Sequence, residues 1–153
     1  MLKESGGGRA IYFAYGSNMN DRQMKERCPS AARLGIGHLP NHALCFAGYS
    51  ACWGGAVASV TPRKDDRASG VLYTLDRDDM IALDGFEGHP FVYVRVLRDI
   101  VQRNGARIRA HVYIHREQFR VEPSPAYLSV LRNAYRLHGF DSHKLLHAAW
   151  GLT

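Results

Sequence analysis

The stretch IYFAYGSNM, residues 11–19, decides how the rest of the chain is arranged. Its first five residues are all apolar or aromatic and show no alternation, which predicts a short strand buried on both faces. The strand ends at Gly16-Ser17-Asn18, three residues that favour turns. A helix is predicted from Asn20 to Arg27, so that turn and helix together direct several backbone N–H groups at one point. Such a point suits a carboxylate or a developing oxyanion, although an ordinary strand-to-helix turn without a ligand has the same pattern.

The length and composition indicate one soluble globular domain. The chain has 153 residues, of which 46% are hydrophobic and 22% charged, enough to bury a sizeable core. We expect a flexible leader over residues 1–10 and a single domain over 11–153. No apolar run approaches the roughly 20 residues of a membrane span, and the first ten residues do not resemble a secretory signal, so we expect no membrane partner.

Cysteine content and charge bear on the cellular location and on nucleic-acid binding. There are three cysteines, Cys28, Cys45 and Cys52, and an odd number without a signal peptide predicts free thiols in a reducing, cytoplasmic location. The net charge of +6 is compatible with nucleic-acid binding. However, the Lys and Arg residues are spread along the chain without a run of four or more, so we expect no nucleic-acid partner.

The order of predicted elements is mostly short strands, with helices inserted and collected at the C-terminus. Strands are expected at 33–39 and 43–48 around a turn at 38–41, and at 56–60 and 68–75 around a charged loop at 62–67. Asp76 should cap a helix that breaks at Gly85. A hairpin over 91–115 turns at Asn104-Gly105, and helices follow from 125 to about 139 and from 142 to 150. This order predicts an α+β fold with a mainly antiparallel sheet.

Several blocks of the sequence resemble the γ-glutamylcyclotransferase family. The most specific is Tyr15-Gly16-Ser17-Asn18, and the others follow in the family's order over roughly residues 11 to 140: 29–31, 53–58, 70–73, 83–88 with Tyr93, and 123–127. The resemblance implies a small barrel-like, mainly antiparallel mixed sheet with flanking helices and a ligand cavity inside one end. It also implies an enzyme that needs no cofactor or metal and acts on a small γ-glutamyl substrate.

The family reaction is an intramolecular aminolysis, in which the α-amine of a γ-glutamyl group attacks its own γ-carbonyl and releases 5-oxoproline and an amine. Glu87, in the predicted loop Gly85-Phe86-Glu87-Gly88, occupies the position of the family's general acid/base. From the residues alone, a solvated turn carboxylate is the favoured interpretation of this loop, and the resemblance reverses that preference. If Phe86 and its neighbours exclude water from Glu87, we expect its pKa to rise toward 7.

The remaining candidate site residues bind substrate. The resemblance implies that Gly16, Ser17 and Asn18 hold the substrate's α-carboxylate or γ-carbonyl oxygen, and that Tyr15, Tyr93 and Tyr127 line the pocket, although each tyrosine is also compatible with an ordinary core position. The roles of Arg95, His89 and Cys52 stay open. His143 and His147 have a zinc-compatible spacing, but no further ligand follows them, so no metal site is predicted.

Two alternatives remain at the level of sequence. The same chemistry removes a γ-glutamyl protecting group from an amine in natural-product biosynthesis, as in compact bacterial relatives that, like this chain, have no long C-terminal extension. A non-catalytic ligand-binding or interaction module of the same fold is the other alternative. The joint presence of the Gly16–Asn18 turn and Glu87 favours the enzyme. The leaving amine, the pathway and the oligomeric state stay open.

Overall fold

In the computed structural model, which describes residues 8–117 and 121–150, the protein folds into a closed five-stranded barrel with four helices. The strands are β1 (Ala10–Ala14), β2 (Ala32–Ser50), β3 (Gly55–Leu75), β4 (Tyr93–Gln102) and β5 (Arg107–His115). The helices are α1 (Asp21–Arg27), α2 (Arg77–Glu87), α3 (Pro125–His138) and α4 (Ser142–Trp150). The barrel order is β1-β3-β2-β4-β5. Strand pairs are antiparallel except β1 with β5, which confirms the predicted α+β fold with a mainly antiparallel mixed sheet.

The first strand is buried, as its uniform apolar sequence predicts. Phe13 and Ala14 are almost inaccessible to solvent, and β1 pairs in antiparallel fashion with the last five residues of β3. Leu83 of α2 and Leu131 of α3 are likewise fully buried in the same core cluster. The strand is therefore a buried part of the barrel wall, and the turn that follows it lies at one end of the barrel.

Strands β2 and β3 form one long ribbon of 19 and 21 residues, so the turn expected at 38–41 and the charged loop expected at 62–67 are wrong. Both segments stay within the ribbon, where the register shifts between Pro40 and His42. At this shift Asn41 and Asp65 adopt positive φ angles of 58° and 66°, and the Asp65 N–H donates to Asn41 Oδ1 at 3.0 Å. The turn-forming residues thus make a bulge that bends the ribbon instead of ending it.

Helix α2 extends further than the sequence predicts. Asp76 caps it as expected, because its Oδ1 accepts the Asp79 N–H at 2.8 Å. The break predicted at Gly85 is wrong: the helix continues to Glu87 and ends at Gly88, whose φ of 67° gives the left-handed C-cap that glycine favours. Glu87 is therefore the last residue of a helix and not a loop residue.

The other predicted helix boundaries agree with the structure. The Asn20 side chain caps α1 by accepting the Gln23 N–H at 2.9 Å. Ser124 caps α3 with a proline in the first turn, and Gly139 ends that helix in the left-handed conformation. No helix within the described ranges is long and apolar enough to cross a membrane.

Most of the expected leader, residues 1–10, lies outside the described residues. Of its last three residues, Ala10 already belongs to β1. The Arg9 side chain donates to Thr74 and to the carbonyl of Ser30. The segment next to the barrel is thus attached to its surface.

Candidate active site

A cavity of about 350 Å³ opens where β1 passes into the following turn. The C-terminal end of α2 and the first residue of β4 form part of its wall. It is lined by all seven of the site residues expected from the sequence: Tyr15, Gly16, Ser17, Asn18, Glu87, Tyr93 and Tyr127. Residues that are far apart in the chain therefore meet at one place.

The Gly16–Asn18 turn is a tight 3₁₀ turn whose glycine is closely approached by neighbouring residues. The Met19 N–H bonds back to the Gly16 carbonyl and the Asn20 N–H to the Ser17 carbonyl, both at 3.0 Å. Gly16 has a φ of −114°, which any residue can adopt. A Cβ added there would lie 3.1 Å from the Tyr127 hydroxyl and 3.2 Å from Ala58 Cβ, so close approach and not backbone strain explains the glycine.

The side chains of Ser17 and Asn18 are held by helix α1. Gln23 Nε2 donates to Ser17 Oγ at 2.8 Å and to Asn18 Oδ1 at 2.9 Å. Asn18, only 4% exposed, also donates to the Tyr12 hydroxyl at 3.0 Å. These bonds use most of the hydrogen-bonding groups of the Asn18 side chain, which therefore links strand β1 to helix α1.

Two tyrosine hydroxyls form hydrogen bonds with the backbone of Ala58 in β3. The Tyr127 hydroxyl accepts the Ala58 N–H at 2.9 Å, and the backbone of Ser17 bonds to it as well. The Tyr93 hydroxyl donates to the Ala58 carbonyl at 2.6 Å. Burial raises the pKa of both tyrosines well above the ordinary value, so both hydroxyls keep their protons.

An anchor beneath the cavity fixes the end of α2. Asp84, one helical turn before Glu87, pairs with Arg95 of β4 through two contacts, Nε to Oδ1 at 2.8 Å and Nη2 to Oδ2 at 3.1 Å. The Tyr113 hydroxyl donates to the same carboxylate at 2.7 Å, and the Tyr15 hydroxyl donates to the Tyr113 carbonyl. Burial acts to raise the pKa of Asp84, but the Arg95 and Tyr113 hydrogen bonds hold it below its usual range. Arg95, open in the sequence, is thus part of this anchor.

Glu87 itself is largely enclosed, with 17% of its side chain exposed. Burial raises its pKa to about 7, while the nearby charge of Arg27 acts in the opposite direction. Arg27 Nη1 lies 3.8 Å from Glu87 Oε2. The pKa of Glu87 therefore lies near 7, as expected. Phe86 lines the same cavity, but it is itself 55% exposed, and its ring lies 5.1 Å from the Arg27 guanidinium.

Arg27 and Tyr12 are among the cavity residues that the sequence analysis missed. Arg27 comes from the end of α1, and its Nη1 donates to Asn18 Oδ1 at 3.2 Å. Tyr12 comes from β1 and receives the Asn18 amide. Gln23 and Arg27 are four residues apart and share a helix face, and this spacing was the available signal that both reach back to the turn.

The other residues that the sequence left open, His89, Cys52, His143 and His147, are also placed by the structure. His89 is not among the lining residues, and its Nδ1 accepts the Arg95 N–H at 3.1 Å. Cys52 is exposed at the cavity wall. His143 and His147 line a second cavity beside α4. Over the described ranges 8–117 and 121–150, no group of three or more His, Cys, Asp or Glu side chains could hold a metal ion.

Comparison with known proteins agrees with this geometry. Residues 12–133 match the family model described as gamma-glutamyl cyclotransferase, AIG2-like. The chain is 29% identical over 126 residues to mouse gamma-glutamylcyclotransferase, covering 79% of this chain and 67% of the relative. It is 28% identical over 135 residues to the bovine protein of the same name, covering 85% and 72%. A solved gamma-glutamyl cyclotransferase structure superposes with a TM-score of 0.84 at 24% identity, over 92% of this chain and 86% of that one. The chain therefore belongs to the gamma-glutamyl cyclotransferase, AIG2-like family and is a cyclotransferase enzyme.

Proposed function

We propose that the protein catalyses the intramolecular aminolysis of γ-glutamyl amides, which yields 5-oxoproline and a free amine or amino acid. The observation that carries this proposal is Glu87, a mostly enclosed carboxylate with a pKa of about 7. It faces the same cavity as the Gly16–Asn18 turn. A general acid/base works best when its pKa lies near the operating pH.

Glu87 acts first as a base. The substrate's α-ammonium, with an ordinary pKa of about 8, loses a proton to the Glu87 carboxylate, and the difference of about one pKa unit costs only about 1.4 kcal/mol. The neutral amine then attacks the γ-carbonyl carbon and forms the ring C–N bond. An unperturbed glutamate, with a pKa near 4.3, would face a cost of roughly 5 kcal/mol in the same step.

Glu87 then acts as an acid. The tetrahedral intermediate carries its negative charge on the former γ-carbonyl oxygen. As the bond from the γ-carbon to the leaving nitrogen breaks, Glu87 returns its proton to that nitrogen. The ring nitrogen still carries two hydrogens after it has bonded to the carbonyl carbon. It gives one of them to the Glu87 carboxylate, which passes this second proton to the released amine. No water is consumed, so the proposal includes no cofactor.

Tyr127 supports the reaction as a hydrogen-bond donor. Its oxygen already accepts the Ala58 N–H and bonds the Ser17 backbone, so its own O–H is left to donate toward the cavity. Removing one donor to a tetrahedral oxyanion typically costs about 3–4 kcal/mol of transition-state stabilisation. Folding the glutamyl chain inside the cavity adds proximity, worth effective molarities of about 10⁵ M or more.

The setting of the reaction is part of the same proposal. The odd number of cysteines, three in all, supports a cytoplasmic location. The dispersed positive charge supports a small-molecule substrate without a nucleic-acid partner.

Product analysis tests the proposal. Purified protein is incubated in ¹⁸O-water with a panel of γ-glutamyl amino acids, γ-glutamyl amines and glutathione, and the first products are identified by mass spectrometry. We expect unlabelled 5-oxoproline, and no product from substrates whose α-amine is acetylated. Reactions without enzyme correct for spontaneous cyclisation. ¹⁸O-labelled glutamate as the first product would show a hydrolase and exclude the proposed reaction.

A further inference from the structure

The cavity contains one complementary pair of charges. Among the described residues that line it, Arg27 is the only Lys or Arg and Glu87 the only Asp or Glu. Arg27 Nη1 and Glu87 Oε2 are 3.8 Å apart, longer than the roughly 2.7–2.9 Å of a charge-assisted hydrogen bond. The two groups are therefore neighbours that do not exhaust each other's hydrogen-bonding capacity.

Arg27 is held in place by contacts that leave most of its donors available. Its Nη1 donates to Asn18 Oδ1 at 3.2 Å, and its guanidinium lies over the Phe86 ring. Only 24% of the side chain is exposed. A guanidinium has five N–H donors in a fixed fork, and both polar contacts that Arg27 makes within the described chain go through Nη1. A rigid fork with unused donors is suited to a carboxylate.

We propose that Arg27 binds the α-carboxylate of the glutamyl substrate, beside the α-amine that Glu87 deprotonates; this rests on the function proposed above. The α-amine must come within about 2.6–3.2 Å of Glu87 for proton transfer. The α-carboxylate is attached to the same carbon as that amine, so it has to lie next to Glu87 as well. The cation available at that position is Arg27.

This assignment also separates the roles of the turn and the arginine. The ammonium and carboxylate of the substrate replace one loose ion pair by two closer ones, ammonium with Glu87 and carboxylate with Arg27. The donors around the Gly16–Asn18 turn and the Tyr127 hydroxyl then serve the γ-carbonyl oxygen. Asn18, which orients both Arg27 and the turn, sets the spacing between the two subsites.

A pair of substrates that differ only in the α-carboxylate tests the proposal. The γ-glutamyl amide of benzylamine closes to 5-oxoproline, and the 4-aminobutanoyl amide of benzylamine, which has hydrogen in place of the carboxylate, closes to 2-pyrrolidinone. In both, the amine nitrogen bonds to the carbonyl carbon, the amide C–N bond breaks, and the proton moves to benzylamine. We expect the wild type to prefer the γ-glutamyl substrate in kcat/KM by roughly 10- to 100-fold, the range typical of hydrogen bonds to charged groups.

The variants locate the source of that preference. Arg27→Met should reduce it to within about threefold, and Arg27→Lys, which keeps the charge without the fork, should give an intermediate preference. Arg22→Met is the matched control, because Arg22 is on the same helix with 88% of its side chain exposed, and it should retain the wild-type preference. Circular dichroism establishes that each variant is folded, and Arg27→Lys carries the test if Arg27→Met is not.

The outcomes are distinct from those of the proposed function. If Arg27→Met slows both substrates by the same factor and keeps the preference, Arg27 only supports Glu87 and Asn18, and the proposal is wrong. Calorimetric binding of the two amides gives the same ratio without turnover. If the wild type binds but does not cyclise the γ-glutamyl amide, the proposed function fails while the binding ratio still decides the role of Arg27.

Discussion

Replacing Glu87 by Gln should slow catalysis and, at the same time, stabilise the folded protein at neutral and alkaline pH. The amide has nearly the same shape as the carboxyl group but neither takes up nor releases a proton in this range. We expect kcat to fall at least about 10²-fold, the lower end of a general acid/base contribution. The stability effect has a separate origin, which is the enclosure of the charged group.

The size of the stability effect follows from the pKa. Burial raises the pKa of Glu87 from an ordinary 4.5 to about 7, which corresponds to about 3 kcal/mol against the ionised form in the folded state. The folded protein therefore binds this proton more tightly than the unfolded chain. Below about pH 4.5 the group is protonated in both states and costs nothing. As the pH rises from about 4.5 to 7, Glu87 ionises in the unfolded chain before it ionises in the folded protein, so the free energy of unfolding of the wild type falls. Above about pH 7 this fall is complete.

Urea denaturation at pH 4 and pH 8 measures the effect. The free energy of unfolding of Glu87→Gln minus that of the wild type should be up to about 3 kcal/mol larger at pH 8 than at pH 4, because other titrating groups cancel in the comparison. Glu26→Gln is the matched control: Glu26 has 69% of its side chain exposed and should show no such change.

Two results would refute this reasoning. A difference in stability that stays flat between pH 4 and pH 8 would mean that the pKa of Glu87 is not raised. Turnover near the wild-type rate in the folded variant would remove Glu87 from the mechanism.

In the wild type, kcat/KM should also rise with pH through about 7, as the basic form of Glu87 accumulates.

Two further substitutions test the surroundings of the site. Gly16→Val should abolish turnover while far-UV circular dichroism stays native-like, because even one added carbon approaches the Tyr127 hydroxyl and Ala58 Cβ to within 3.1–3.2 Å; an active, stable variant would make the turn a mere connector. Asp84→Asn should lower the free energy of unfolding by about 2 kcal/mol in urea titrations and reduce kcat, because Arg95 loses its two-contact partner below the end of α2. Unchanged stability and kcat would contradict this role of the anchor.

The parts of the fold that could be predicted are those with local causes. The buried strand β1, the caps at Asn20, Asp76 and Ser124, and the hairpin at Asn104-Gly105 each follow from a short stretch of sequence. The ribbon of β2 and β3 could not be predicted, because pairing on both sides of the register shift keeps charged and turn-forming residues such as Asn41 and Asp65 within the strands.

The candidate site shows the same division. That the seven expected residues share one cavity could be predicted because the resemblance covers motifs along most of the chain. Their individual roles stay predictions. Arg27 could not be assigned from a motif, since its place depends on how α1 folds back onto the turn. The position of Glu87 at a helix end, and the burial that raises its pKa, depend equally on tertiary packing.

The hydrogen bonds of Tyr93 and Tyr127 with the Ala58 backbone also limit which substitutions the cavity can accept. Within β3, only residues 71–75 pair with β1, and among the described residues no strand pairs with this edge of β3 at Ala58. The two hydroxyls bond its N–H and C=O instead. Ala58 is only 2% exposed, and a buried backbone N–H or C=O that loses its partner costs about 1–3 kcal/mol. Removing either hydroxyl to enlarge the ligand space would therefore also lower the stability of the barrel.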